Sequence, residues 1–235
     1  MTDKHLSTQF DAELSGISTR VLEMGGMVEA QLKQALSALT QFSGEMAAEV
    51  LLEEERVTQM EITIDRDLSA IIARRQPTAR DLRLLIAVSR TIANLERVGD
   101  EAARIARVVQ RLIANSAPTR MRLPVQDLHF ESELALAQLR KALDAFARLD
   151  TAKALEVLKA DGQIDEEFAG LLRKLVTYMM EDPRTISAAI DLVFVAKAIE
   201  RVGDHAKNLA EAIIYVVKGA DVRHTSVENI ENVVR

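Results

Sequence analysis

The pentapeptide Glu96-Arg97-Val98-Gly99-Asp100 returns letter for letter as Glu200-Arg201-Val202-Gly203-Asp204, 104 positions later. Each copy sits inside a run of apolar and small residues spaced three and four apart. The first run is Leu85, Val88, Ile92, Leu95, Gly99, Ala102, Ala106, Val109 and Ile113. The second is Ala189, Leu192, Ala196, Ile199, Gly203, Ala206, Ala210, Ile213 and Val217. Alternating steps of three and four are the seam of a long packed helix. Nine matched positions in register mean that the chain doubles a helical unit, which commits it to an all-α fold.

The rest of the chain agrees with long helices. Only 9 of its 235 residues are Gly and 4 are Pro, so breaks are few. Leu14, Ile17, Val21, Met24, Val28, Leu32, Ala35 and Leu39 form one amphipathic stripe, interrupted at Phe42-Ser43-Gly44. Val50, Val57, Met60, Ile64, Leu68 and Ile71 form the next. That second helix is acidic early, at Glu53, Glu54 and Glu55, and ends on Arg74 and Arg75, as the helix dipole favours. Gln76-Pro77 stops it, since proline disfavours helical geometry in the residue before it. Thr78 to Asp81 then offers a capping box for the third helix.

The second half repeats the plan, with helices over about 125 to 149 and 154 to 180, a stop at Asp182-Pro183, and a seam helix closed by Gly219. The expected architecture is two tandem antiparallel three-helix bundles, six helices in all. The first bundle is 1–115, the linker 116–124, the second bundle 125–218 and the C-terminal tail 219–235. The first ten residues read as a loose lead-in and the tail as a partly ordered extension.

Composition excludes several functions. There is no Cys, which rules out disulfides, thiolate metal sites and cysteine nucleophiles. The net charge of −6 and pI near 5.4 argue against sequence-independent nucleic-acid binding. No apolar run approaches a membrane span and the start carries no secretory signal, so a cytoplasmic protein is expected.

On a helix, Glu96 and Asp100 lie one turn apart on the same flank of the seam, as do Glu200 and Asp204. Glycine in a helix interior costs about 0.5–1 kcal/mol against alanine. Its return at the matched seam position points to a neighbouring helix that passes close. Stacked carboxylates there suit a hard cation such as Mg, Ca, Mn or Fe. Asp161 and Asp165 repeat the four-residue spacing on the fifth helix. Aligning Glu49-Val50-Leu51 with Glu156-Val157-Leu158 sets Glu54 opposite Asp161 and Thr58 opposite Asp165. Carboxylates four apart also mark ordinary solvated helix faces, with Arg97 and Arg104 at hand as ion-pair partners. Spacing alone leaves both readings open.

At these residues the chain resembles the PhoU family, whose signature is a twice-occurring Glu-Arg-hydrophobic-Gly-Asp. Further matches are Met24-Gly25 with Val28-Glu29, Pro77 leading into Asp81-Leu82-Arg83, Asn94-Leu95-Glu96, and Asp204-His205-Ala206 with Asn208. The resemblance implies two three-helix bundles that bind divalent or trivalent metal ions (Mg, Mn, Fe or Zn), often as clusters. The matching ligands are Glu96, Asp100, Glu200 and Asp204, with Asp161 and Asp165 from helix five. Glu54 is the first-half equivalent, and Thr58 breaks the pattern there. His205 is a further candidate for the second site.

The resemblance also implies a negative regulator of the phosphate (Pho) regulon that modulates phosphate uptake and homeostasis. Its implied partners are the ATPase subunit of the phosphate ABC transporter and the phosphate-sensing histidine kinase. It implies a homodimer that meets the membrane only through partners, binds no nucleic acid directly and catalyses no reaction.

Arg83, Arg90, Arg97, Arg104 and Arg111 recur every seven residues. That row is expected opposite the seam, either as a solvated basic face or as a docking surface for an acidic partner or anionic headgroups. Phe194 and Tyr215, on the matched row of the sixth helix, are expected to be exposed partner contacts. Two rival readings are a di-metal carboxylate enzyme and a metal-binding helical adaptor. The first lacks the Glu-x-x-His pairs of such bundles, and a purely structural coiled coil leaves the repeated acid pairs unexplained.

Overall fold

The structure is a computed structural model that describes residues 8–115 and 125–235. The expected linker, 116–124, and most of the expected lead-in lie outside the described residues. The architecture is all-helical: α1 (Thr8–Gln41), α2 (Gly44–Arg75), α3 (Ala79–Ala114), α4 (Val125–Arg148), α5 (Thr151–Glu181), α6 (Ile186–Lys218) and α7 (Val227–Val234). Among the described residues no helix is long and apolar enough to cross a membrane.

The duplication extends to the turns. Phe42 and Leu149 both take left-handed backbone, with φ of 50° and 51°. The next N–H in each turn reaches back over the helix end, Ser43 to the Ala38 carbonyl at 3.0 Å and Asp150 to the Ala145 carbonyl at 2.9 Å. Such bonds satisfy carbonyls that the ending helix leaves without partners. The same two residues cap the following helices. Ser43 Oγ accepts from the Met46 N–H at 3.2 Å, and Asp150 Oδ1 accepts from those of Ala152 and Lys153 at 3.0 and 3.1 Å. At the start of α3 the expected capping box does not form. Thr78 holds extended N-cap backbone but makes no side-chain cap bond.

Helices α1, α2 and α3 pack on one another, and so do α4, α5 and α6. The most extensive contact, however, is between α3 and α6, and α1 also meets α4. One apolar core therefore runs through both halves, from Leu14 on α1 to Ile230 on α7. Helix α3 is buried well beyond its seam, at Ala87, Val98, Ile105, Val108 and Leu112 as well as Leu85, Val88, Ile92 and Leu95. The reason is that it is covered from two directions, by α1 and α2 and by α6. Ile113, expected on the seam, is instead 37% exposed, and Leu112 is buried beside it. The C-terminal tail is more ordered than expected: α7 packs on α5, with Ile230 buried and Glu231 paired with Lys159.

Candidate metal centre

Helices α3 and α6 run antiparallel and touch through a ladder of polar pairs. Arg83 lies beside Gly219, and the Arg90 guanidinium sits 5.2 Å from the centre of the Tyr215 ring. Asn94 Oδ1 accepts from Asn208 Nδ2 at 2.9 Å, Arg201 donates to Glu101 at 3.2 Å, and Arg111 donates to Asp191 at 3.0 Å. As the numbers rise on α3 they fall on α6, and the middle of the ladder is where the two pentapeptides cross. Both of their arginines and both of their aspartates line one groove of about 710 Å³, together with Glu101 and His205.

The arginine row therefore does not form an outer face opposite the seam. It lies along the α3–α6 contact, because α6 covers the side of α3 that a free-standing bundle leaves in water. Arg90 and Arg111 are engaged by α6, and Arg104 pairs with Glu101. Tyr215 is half-buried under Arg90. Phe194 is 52% exposed, as are in part Ile186 and Ile190, two turns and one turn before it on α6; Leu172, Val176 and Met180 are exposed on α5.

The seam glycines make room for a second repeated device that the sequence reading did not pick out. Gln31 and Gln138 are buried at equivalent places on α1 and α4. Each donates its amide to a helix carbonyl, Gln31 to Val50 at 3.2 Å and Gln138 to Val157 at 3.1 Å. Each turns its Oε1 toward a glycine. A Cβ on Gly99 would stand 3.1 Å from Gln31 Oε1 and 3.4 Å from Val57 Cγ1. One on Gly203 would stand 3.2 Å from Gln138 Oε1 and 2.8 Å from Ile164 Cδ1. The close approach inferred from sequence is thus made by side chains reaching over the glycine.

In the first half, Glu96 and Asp100 face α2. Burial raises the Glu96 carboxyl above its usual range, and the charges of Asp100 and Glu61 raise it further. Glu61 is raised in turn by burial and by Asp65 and Asp100. Glu54 is bound by Arg107 at 2.7 Å, and the Thr58 hydroxyl donates to the Glu54 carbonyl. Glu61, passed over in the sequence, thus takes a place beside the motif that Thr58 cannot fill.

In the second half, Asp204 and Asp165 are both raised, first by lost hydration. Glu200 and Asp161 then act on each of them, and Asp165 also acts on Asp204. Lys207 holds Asp161 at 2.6 Å and Lys197 holds Glu200 at 2.6 Å. Glu131 on α4 is only 1% exposed, with neither carboxylate oxygen hydrogen-bonded among the described residues. Burial, then Glu200 and Glu167, push its carboxyl up to about 8. A glutamate at an apolar-stripe position, between Leu128 and Ala135, was the signal for it in the sequence.

His205 turns away from these acids. Its Nδ1 lies 3.0 Å from Asn94 Oδ1, and burial, with Arg97 and Arg201 nearby, pushes its pKa down to about 4.

These donors suit a hard cation in kind. They are all oxygen, they repel one another, and a cation relieves that repulsion. They do not form a closed shell. Among the described residues no three His, Asp or Glu side chains are gathered so as to hold an ion, and Lys197, Lys207 and Arg107 supply the counter-charge.

An all-helical duplicated chain with an acid-Arg-x-Gly-acid motif at the crossing of its third and sixth helices defines a class, and the comparisons agree. The chain belongs to the PhoU family: the PhoU domain matches it twice, over residues 21–109 and 131–213. It is 47% identical to a phosphate-specific transport system accessory protein PhoU homolog from a Burkholderia species, over 98% of this chain and 97% of that protein. It is 42% identical to the Escherichia coli (strain K12) phosphate-specific transport system accessory protein PhoU, over 97% of this chain and 93% of that one. The crystal structure of PhoU from Pseudomonas aeruginosa superposes with a TM-score of 0.85 at 40% identity, covering 90% of this chain and all of that one. The Streptococcus pneumoniae phosphate transport system regulatory protein PhoU gives 0.83 at 28% identity, covering 91% and 99%.

Proposed function

We propose that this protein is a cytoplasmic, non-enzymatic negative regulator of the Pho regulon, acting as a homodimer. It couples the phosphate ABC transporter, through its ATPase subunit, to the phosphate-sensing histidine kinase and holds the kinase in its non-activating mode when phosphate is plentiful. The observation that carries the reading is the likeness, over nearly the whole chain, to accessory proteins of phosphate-specific transport. Exposed Phe194, with Ile186 and Ile190 before it on the same helix, is the partner contact in this reading, since exposed apolar side chains gathered on one surface mark interaction sites. The two halves, 1–115 and 125–218, are its two three-helix bundles.

Deleting the gene tests the regulatory role. Alkaline phosphatase is expected to become active in high phosphate. Enzyme that stays repressed overturns the reading.

The acid motifs serve in this reading as metal sites. Glu96 and Asp100 with Glu54, and Glu200 and Asp204 with Asp161 and Asp165, would hold the ion, which would neutralise the acidic flanks of α3 and α6. The support is chemical: carboxylates held above their usual range by burial, and then by one another, favour a cation. Asp100→Ala with Asp204→Ala is expected to abolish bound metal in the purified protein. Equal metal content in wild type and double variant counts against it.

A further inference from the structure

The ladder between α3 and α6 sets the two repeats against each other, and it does so unevenly. Glu101 stands level with Arg201, and Arg97 with His205, three residues along from the Asn94–Asn208 pair. The 104-residue repeat carries Arg97 onto Arg201 and Glu101 onto His205, so the two rungs are copies of one arrangement read in opposite directions. In one copy Arg201 donates to Glu101 at 3.2 Å. In the other Arg97 meets a histidine that is neutral at pH 7 and whose Nδ1 is engaged with Asn94. Arg97 is exposed in the groove and makes no hydrogen bond or ion pair among the described residues, acting on Glu61 and Glu96 only through its charge.

Its neighbours add to the positive excess. Arg104 pairs with Glu101 at 2.9 Å, so Arg97, Arg104 and Arg201 have one carboxylate in direct contact among them. Each guanidinium carries five N–H donors, and the two on Glu101 keep donors to spare. Asp100 and Asp204 line the groove as well, but each lies in the acid set of its own half, with Glu61 and Glu96 or with Asp161, Asp165 and Glu200. Glu211 is offset by Lys207 and Arg223. Three guanidiniums on one carboxylate leave two positive charges, which a dianion balances. A phosphoryl group carries about that charge near neutral pH and takes arginine N–H donors in parallel pairs.

We propose that the groove where α3 and α6 cross binds a phosphoryl group, held by Arg97 as Glu101 is held by Arg201, with spare donors of Arg104 and Arg201 completing the cradle. The inference goes beyond the regulatory and metal readings and rests on neither. The groove's volume of about 710 Å³ admits free phosphate or a small phosphomonoester.

The test is calorimetric titration of the full chain, in phosphate-free buffer containing EDTA, with inorganic phosphate and separately with AMP. Saturable binding of at least one is expected, and which one binds tells free phosphate from a phosphomonoester. Arg97→Gln, and His205→Glu, which gives Arg97 the carboxylate its counterpart has, are each expected to weaken that binding at least tenfold. Arg97 is exposed, so Arg97→Gln is expected to melt as wild type does, which separates a ligand role from a folding defect. Absence of binding of both anions by the wild-type chain overturns the inference, and so does unchanged affinity in Arg97→Gln. Affinity kept by folded His205→Glu puts the anion away from Arg97 and overturns it too. With EDTA present no metal takes part, so each of these failures leaves the metal and regulatory readings standing.

Discussion

The two copies of the unit place unlike residues at like positions, and His205 shows what that does. Its counterpart in the first repeat is Glu101, which receives Arg201 and pairs with Arg104. His205 faces Arg97 across the same groove, and burial, then the charges of Arg97 and Arg201, disfavour its protonated form. Its folded-state pKa of about 4 lies below the ordinary 6.5. As pH falls from 6.5 toward 4 the unfolded chain takes up a proton that the folded one refuses, so stability drops across that window. The full loss is at most about 3 kcal/mol. His205→Gln keeps an amide for Asn94 but cannot titrate. Urea unfolding at pH 7 and pH 4.5 is expected to show a smaller acid loss for His205→Gln than for wild type, and an equal loss would show that His205 titrates normally.

At the scale of the element, the seam glycines are set by what crosses them. Alanine gains roughly 0.5–1 kcal/mol of helix preference over glycine. The contact it meets at Gly203 is the flexible end of Ile164, and at Gly99 the Gln31 amide and Val57. Gly99→Ala and Gly203→Ala are therefore expected within about 1 kcal/mol of wild type, the two effects offsetting. Valine adds bulk that neither site can absorb, and Gly203→Val is expected to cost about 1–3 kcal/mol. Chemical denaturation of the four variants (alanine and valine at each site) checks this. A neutral Gly203→Val would mean that α5 stands further from α6 than described. The turns are also legible at this scale, since Ser43 and Asp150 are standard N-cap residues placed just after each reversal.

For the whole molecule, the decisive feature is that the halves are joined by packing as well as by chain. Ala87 on α3 is buried against Ala212 and Val216 on α6, and the polar ladder runs the length of both helices. Residues 1–115 and 125–235 made as two separate chains are expected to copurify one to one when co-expressed and to be poorly soluble alone. Tagged pull-down followed by sizing checks this. Two soluble monomers with no affinity would contradict a shared core. The sequence by itself determined the six long helices and the doubling, because seam spacing, caps and prolines act within a few residues along the chain, while α7, inside the expected tail, was not read from it. It also marked Glu96, Asp100, Glu200, Asp204, Asp161 and Asp165 as one kind of group at matched places. Only the tertiary structure decided that α3 and α6 cross at the two motifs, placing the expected outer arginine row along the groove between them. It alone brought Glu61 and Glu131 to the acid sites, because burial and electrostatic reach depend on which helices pack together, and spacing along one helix does not record that.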